Sequence, residues 1–164
     1  MTTWPLQRDC DAFYGNPRGS NGSYSPAWAA ANLTHVACPW QIQIGGKTVP
    51  FITIHRKCAE SLTAVLGAIW EACGKSQDQI NKLHYNVYDG SFNYRPMRAN
   101  QALSMHAYGC AIDWDAAENP FHDRKHLFTS SSLLVVKFEA EGWVWGGDWS
   151  SPDAMHVQAA RVHN

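Results

Sequence analysis

Charge is scarce in this sequence. Only 16% of the 164 residues are Asp, Glu, Lys or Arg, the formal net charge is -1, and the basic residues form no long run. An electrostatic grip on a nucleic-acid backbone needs clustered Lys and Arg, so no nucleic-acid partner is expected. Long apolar runs are also missing: no stretch approaches the roughly 20 apolar residues of a membrane span. The opening MTTWPLQRDCDAF lacks the basic-then-apolar order of a signal peptide. The expectation is a chain that starts in the cytosol without membrane insertion. Five cysteines, Cys10, Cys38, Cys58, Cys73 and Cys110, are an odd number without the tight pairing of a zinc ribbon. Reduced, mostly buried thiols are expected rather than a disulfide framework. No internal repeat, linker or low-complexity tract divides the chain, and its length suits one domain over 1–164 with a substantial core.

Aromatic and imidazole rings are plentiful instead, with eight tryptophans and eight histidines. Aromatic walls carrying polar ring nitrogens suit a ligand cleft, and they suit a small aromatic core equally well. The first 50 or so residues are rich in Gly, Pro, Asn and Ser and read as loops with short strands, QIQIGG being a hairpin arm. From His55 to Cys73 the apolar residues Cys58, Leu62, Val65, Leu66, Ile69, Trp70 and Cys73 recur at three- and four-residue steps, which predicts a helix stopped by Gly74. The GKS at 74–76 is no phosphate loop, because Ile69 stands where that pattern needs its first glycine. LHYNVYDG reads as a strand ending in a turn. CAIDWDA reads as another, with Ala111, Asp113 and Asp115 on one face. LLVVKFEAE forms a short helix after an N-cap in TSSS and ends at Gly142, and strands follow at WVWGG and MHVQA.

Acids on a strand face need a reason, and SMHAYGCAID (104–113) supplies one. His106 precedes the strand, Gly109 lets the backbone fold, and Asp113 follows seven residues after the histidine, so the two side chains can converge on one ion. Such a pair is common by chance and needs a third ligand. His156 in SPDAMHVQ is the candidate, with Asp153 three residues earlier on the loop entering that strand. Two imidazoles and one carboxylate match catalytic zinc sites that keep a fourth position for water. Asp153 is then placed to take a proton from that water. Taken alone, Asp153 reads as a turn cap and His156 as an ordinary strand histidine. HDRKH at 122–126 imitates a zincin helix, but Pro120 before it and TSSS after it leave only a polar loop or helical turn. Trp143, Trp145 and Trp149 read as core packing before cleft lining, and Cys110 as a buried thiol on the strand face opposite Asp113.

The segment carried by Ser104, His106, Gly109, Ala111 and Asp113 resembles the signature of the M15 metallopeptidases. GWVWGGDWSSPDAMHVQ resembles that family's closing segment, and DGSFNYRPMR resembles its Tyr-Arg-Pro element. The three motifs fall in order over residues 89–158, and the first 50 residues add little to the likeness. The resemblance implies one zinc ion bound by His106, Asp113 and His156. It makes Asp153 the general base, has Arg95 steady the carbonyl oxygen, and puts Ser104 in contact with the bound peptide. Without the family, Arg95 reads as a surface residue beside a proline turn and Ser104 as a local cap. An always-charged planar fork of donors suits the role given to Arg95. The implied fold is an α+β domain of the Hedgehog/DD-peptidase kind, with a small, mainly antiparallel sheet holding the zinc and helices packed on one side. The implied activity is hydrolysis of peptidoglycan stem peptides, and a monomer is expected. An endolysin-like L-alanyl-D-glutamate endopeptidase released to the wall during phage lysis stands first, favoured by the missing export signal and by Asp at position 153. A D-alanyl-D-alanine carboxypeptidase and a zinc-bearing binding module without turnover are the alternatives.

Overall fold

The computed structural model describes residues 2–95 and 102–164. Its elements, in chain order, are α1 (Cys10–Tyr14), α2 (Pro26–Asn32), β1 (Leu33–Val36), β2 (Ile42–Ile44), β3 (Lys47–Val49), β4 (Ile52–His55), α3 (Ala59–Ala72), α4 (Gln77–Lys82), β5 (Ala111–Asp113), α5 (Leu133–Ala140), β6 (Val144–Gly146) and β7 (Asp153–Gln158). Short 3-10 turns occupy Gln7–Asp9, Arg56–Cys58 and Met105–Tyr108. The class is α+β. The strands form three small antiparallel sheets rather than one: β1 with β4, β2 with β3, and the order β5-β7-β6. No helix among the described residues is long and apolar enough to cross a membrane.

The helix α3 forms where the apolar periodicity places it, because Leu62, Val65, Leu66 and Ile69 share one face and are all buried. Burying each such side chain contributes roughly 1.5–3 kcal/mol relative to leaving it in water. The helix starts later than the pattern suggests. His55 is the last residue of β4, paired with Leu33, and its Nδ1 accepts from the Lys57 amide, opening the 3-10 turn that precedes α3. Gly74, at φ +66°, ends the helix. Both α5 and α3 pack into one core with Trp4, Trp114 and Trp143, so the tryptophans at 143 and 145 are interior residues. All five cysteines are free, and all but Cys38 are buried.

LHYNVYDG is not a regular strand: Val87 and Tyr88 make only isolated bridges, to Gln43 and Trp114. Asp115 likewise leaves the face of Asp113. It adopts φ +47° immediately after the three-residue β5 and accepts from His84 Nδ1 at 2.9 Å. HDRKH is a loop, with no helical residue between His122 and His126.

His55 ties this scaffold to pH. It is fully buried, its Nε2–H donates to Tyr14 O at 2.9 Å and its Nδ1 accepts from Lys57, so both nitrogens are committed in the neutral ring. Burial pushes its pKa down from 6.5 to about 4. An unfolded chain binds the proton first, so this contribution to stability is complete above pH 6.5 and is lost as pH falls towards about 4. The loss reaches at most roughly 3 kcal/mol. An NMR titration should show the His55 ring resonances flat from pH 8 to about 5. A midpoint near 6.5 for that ring would contradict the burial argument.

Candidate metal centre

His106 is set by its own turn and by the chain that crosses behind it. The Ser104 hydroxyl accepts from the His106 amide at 3.2 Å and so caps the Met105–Tyr108 turn. Gly109 closes that turn at φ +68°, and its carbonyl accepts from the His55 amide at 2.7 Å. A Cβ on Gly109 would stand 2.7 Å from Leu33 Cδ2 and 3.1 Å from His55 N, so glycine is required for both handedness and approach. The His106 Nδ1–H donates to the Ser91 carbonyl at 2.7 Å. A carbonyl only accepts, so Nδ1 carries a proton, and in the neutral ring Nε2 presents a lone pair.

That Nε2 is buried and has no hydrogen-bond partner among the described residues, although Asp113 Oδ2 lies 3.2 Å away. Asp113 ends β5 directly opposite His156 of β7, and its Oδ1 lies 3.1 Å from His156 Nδ1. One ligand atom from each of His106, Asp113 and His156 falls within 4.8 Å of the others. Burial works against a charge on Asp113, but the two flanking rings hold its carboxyl well below the usual carboxylate range. Burial likewise works against a charge on His156, and Asp113 overrides it, raising the ring's pKa. Electron-rich atoms converging out of water create a demand for a cation, and two imidazoles with one carboxylate are a donor set that fits zinc with an open position.

Asp153 lies not on the loop entering the strand, where the sequence places it, but at the first residue of β7. Three residues from His156 on a regular strand would put it on the opposite face. Its Oδ2 nevertheless lies 3.9 Å from His156 Nδ1, because the β6–β7 register shifts between Trp145 and Gly146. Gly146 accommodates the irregularity: a Cβ there would stand 2.6 Å from Asp153 O.

The three clustered residues sit on a cavity of about 450 Å³ that Arg95, Ser104 and Asp153 also line. Arg95 is half-buried, and its carbonyl accepts from the Ser104 amide at 3.0 Å. Pro96, Met97 and Arg98 of the Tyr-Arg-Pro element lie outside the described residues. Phe121, His122 and Trp149 complete much of the wall, the Trp149 ring lying 5.7 Å from that of His156. Trp149 is therefore a cleft residue, unlike Trp143 and Trp145. His122, from the decoy HDRKH, reaches the cavity from a left-handed loop position at φ +65°. Neither it nor Phe121 carried a usable sequence signal. Gln158 also lines the cavity, and its place two residues beyond His156 on a strand was the available clue.

The fold and the cluster thus define a candidate mononuclear metal site at the floor of a ligand-sized cavity. Residues 98–159 match a family model described as D-alanyl-D-alanine carboxypeptidase, of the M15 peptidases. The match contains all of β5, β6 and β7 and supports a peptidase of the M15 family. No characterised protein and no solved structure gives a significant match.

Proposed function

We propose that the protein is a zinc-dependent peptidoglycan peptidase that cleaves cell-wall stem peptides, with an L-alanyl-D-glutamate endopeptidase as the leading activity. The observation that carries this reading is the convergence of His106, Asp113 and His156 beside Asp153 within the segment that matches the peptidase family. His106, Asp113 and His156 would hold the zinc, which when bound would supply Lewis acidity and lower the pKa of water. Asp153 takes the proton of the attacking water as the oxygen bonds to the peptide carbonyl carbon. It then returns that proton to the nitrogen as the C–N bond breaks, leaving a carboxylate and a free amine. Arg95 holds the charge that builds on the carbonyl oxygen. Phe121 and Trp149 offer apolar surface to the substrate's side chains and limit water around the reacting bond.

A D-alanyl-D-alanine carboxypeptidase is the second reading, favoured by the description of the matching family. Mass spectrometry of purified peptidoglycan after incubation, with and without a chelator, separates the two. Fragments bearing a newly freed D-glutamate amine, absent after chelation, are expected. Release of terminal D-alanine assigns the carboxypeptidase instead. No metal-dependent product from several wall chemotypes removes both activities and leaves a binding module.

A further inference from the structure

Gln158 lies two residues beyond His156 on β7, pairs with Ala111 on one side and Val144 on the other, and is buried to 1% exposure. A carboxamide in that position must satisfy its donors and acceptor inside the protein. Its Nε2 donates to the Ala160 carbonyl at 2.9 Å and to Gln7 Oε1 at 2.8 Å. The Ala160 carbonyl can only accept, so the nitrogen end of the amide is fixed on that side. The oxygen end then faces His156 Nε2 at 2.8 Å. An amide oxygen can only accept, so this contact requires the proton on Nε2 and, in the neutral ring that a metal binds, leaves the Nδ1 lone pair directed at the cluster.

The requirement matters because His156 Nδ1 has a competing partner. Asp113 Oδ1 lies 3.1 Å from it and would hold a proton there, covering the atom a metal needs. We propose that Gln158 is a positioning residue that keeps the His156 proton on Nε2, so that His156 binds metal through Nδ1 while His106 binds through Nε2. Gln7 holds the amide from behind, and its own turn is fixed to the far end of the chain: the Gln7 amide donates to Arg161 O and the Arg161 amide to Pro5 O. The N-terminal segment is thereby part of the support of the metal site. This inference rests on reading the His-Asp-His cluster as a zinc site.

The test uses the full chain loaded with zinc. Long-range proton–nitrogen NMR should show an imidazole Nε2–H on His156, slow to exchange with solvent, and an Nδ1–H on His106 held by Ser91. In Gln158→Met the His156 proton should lose its protection and zinc affinity, measured by chelator competition, should fall about 10- to 100-fold, as when the partner behind a metal-bound histidine is removed. The unchanged His106 signal reports an intact fold. An Nδ1–H on His156 in the unaltered protein, or equal zinc affinity in the folded variant, overturns the role of Gln158. If the unaltered protein binds no zinc, the zinc-site reading itself fails. The proton measurement needs no variant, so it stands even if Gln158→Met does not fold.

Discussion

Asp113→Ala is expected to leave a folded protein whose zinc affinity has dropped by at least about 100-fold, the upper end of the loss caused by removing a partner behind a ligand. Asp113 contributes the only carboxylate among the three clustered residues, and its two oxygens face the two imidazoles at 3.2 and 3.1 Å. Without it, two imidazoles remain, and no carboxylate within the cluster offsets the charge of the ion. The backbone around Asp113 is held independently: its amide donates to Gly90 O, its carbonyl accepts from the Asp89 amide, and β5 stays paired with β7. Chelator competition measures the affinity, and circular dichroism checks the fold. Zinc binding equal to that of the unaltered protein would sink the assignment of this cluster as the metal site. Peptidase activity should vanish together with the metal and should not return on adding physiological zinc.

The parts of this arrangement that depend on local pattern were legible from the sequence, and the parts that depend on distant partners were not. The periodicity of Leu62, Val65, Leu66 and Ile69 directly encodes a buried helix face, so α3 was readable. Its start was not, because His55 belongs to β4 through pairing with Leu33, and a one-dimensional pattern does not contain that pairing. The alternation of CAIDWDA placed Asp113 correctly but failed at Asp115, where a left-handed residue ends the alternation and turns the carboxylate to His84. Spacing and residue chemistry brought His106, Asp113 and His156 together as candidates, and the structure places them in one cluster. The position of Asp153 beside them depends on the β6–β7 register shift, which local sequence does not announce. Gln7 illustrates the limit most clearly. It meets Gln158 from 151 positions away, through closure of the N-terminal turn onto the end of β7.

Asp153→Ala is expected to keep zinc and lose hydrolysis, with kcat reduced about 10²- to 10⁴-fold, the usual contribution of a positioned general base. Its carboxylate lines the cavity, with Oδ2 3.9 Å from His156 Nδ1, farther than the 3.1 Å that separates that nitrogen from Asp113. This difference places Asp113 within the cluster and Asp153 at its margin, next to the space in which a water and a peptide carbonyl can meet. Removing Asp153 should therefore change zinc affinity far less than removing Asp113. The two variants together dissociate metal holding from proton transfer. Asp153→Glu tests position as well as charge, since it retains a carboxylate but moves it by one methylene, and partial activity between alanine and aspartate is expected. Rates of stem-peptide cleavage under zinc-saturated conditions provide the measurement. Full activity in Asp153→Ala would mean that another group accepts the proton, and the mechanism proposed for this site would have to be abandoned even if the metal assignment survived.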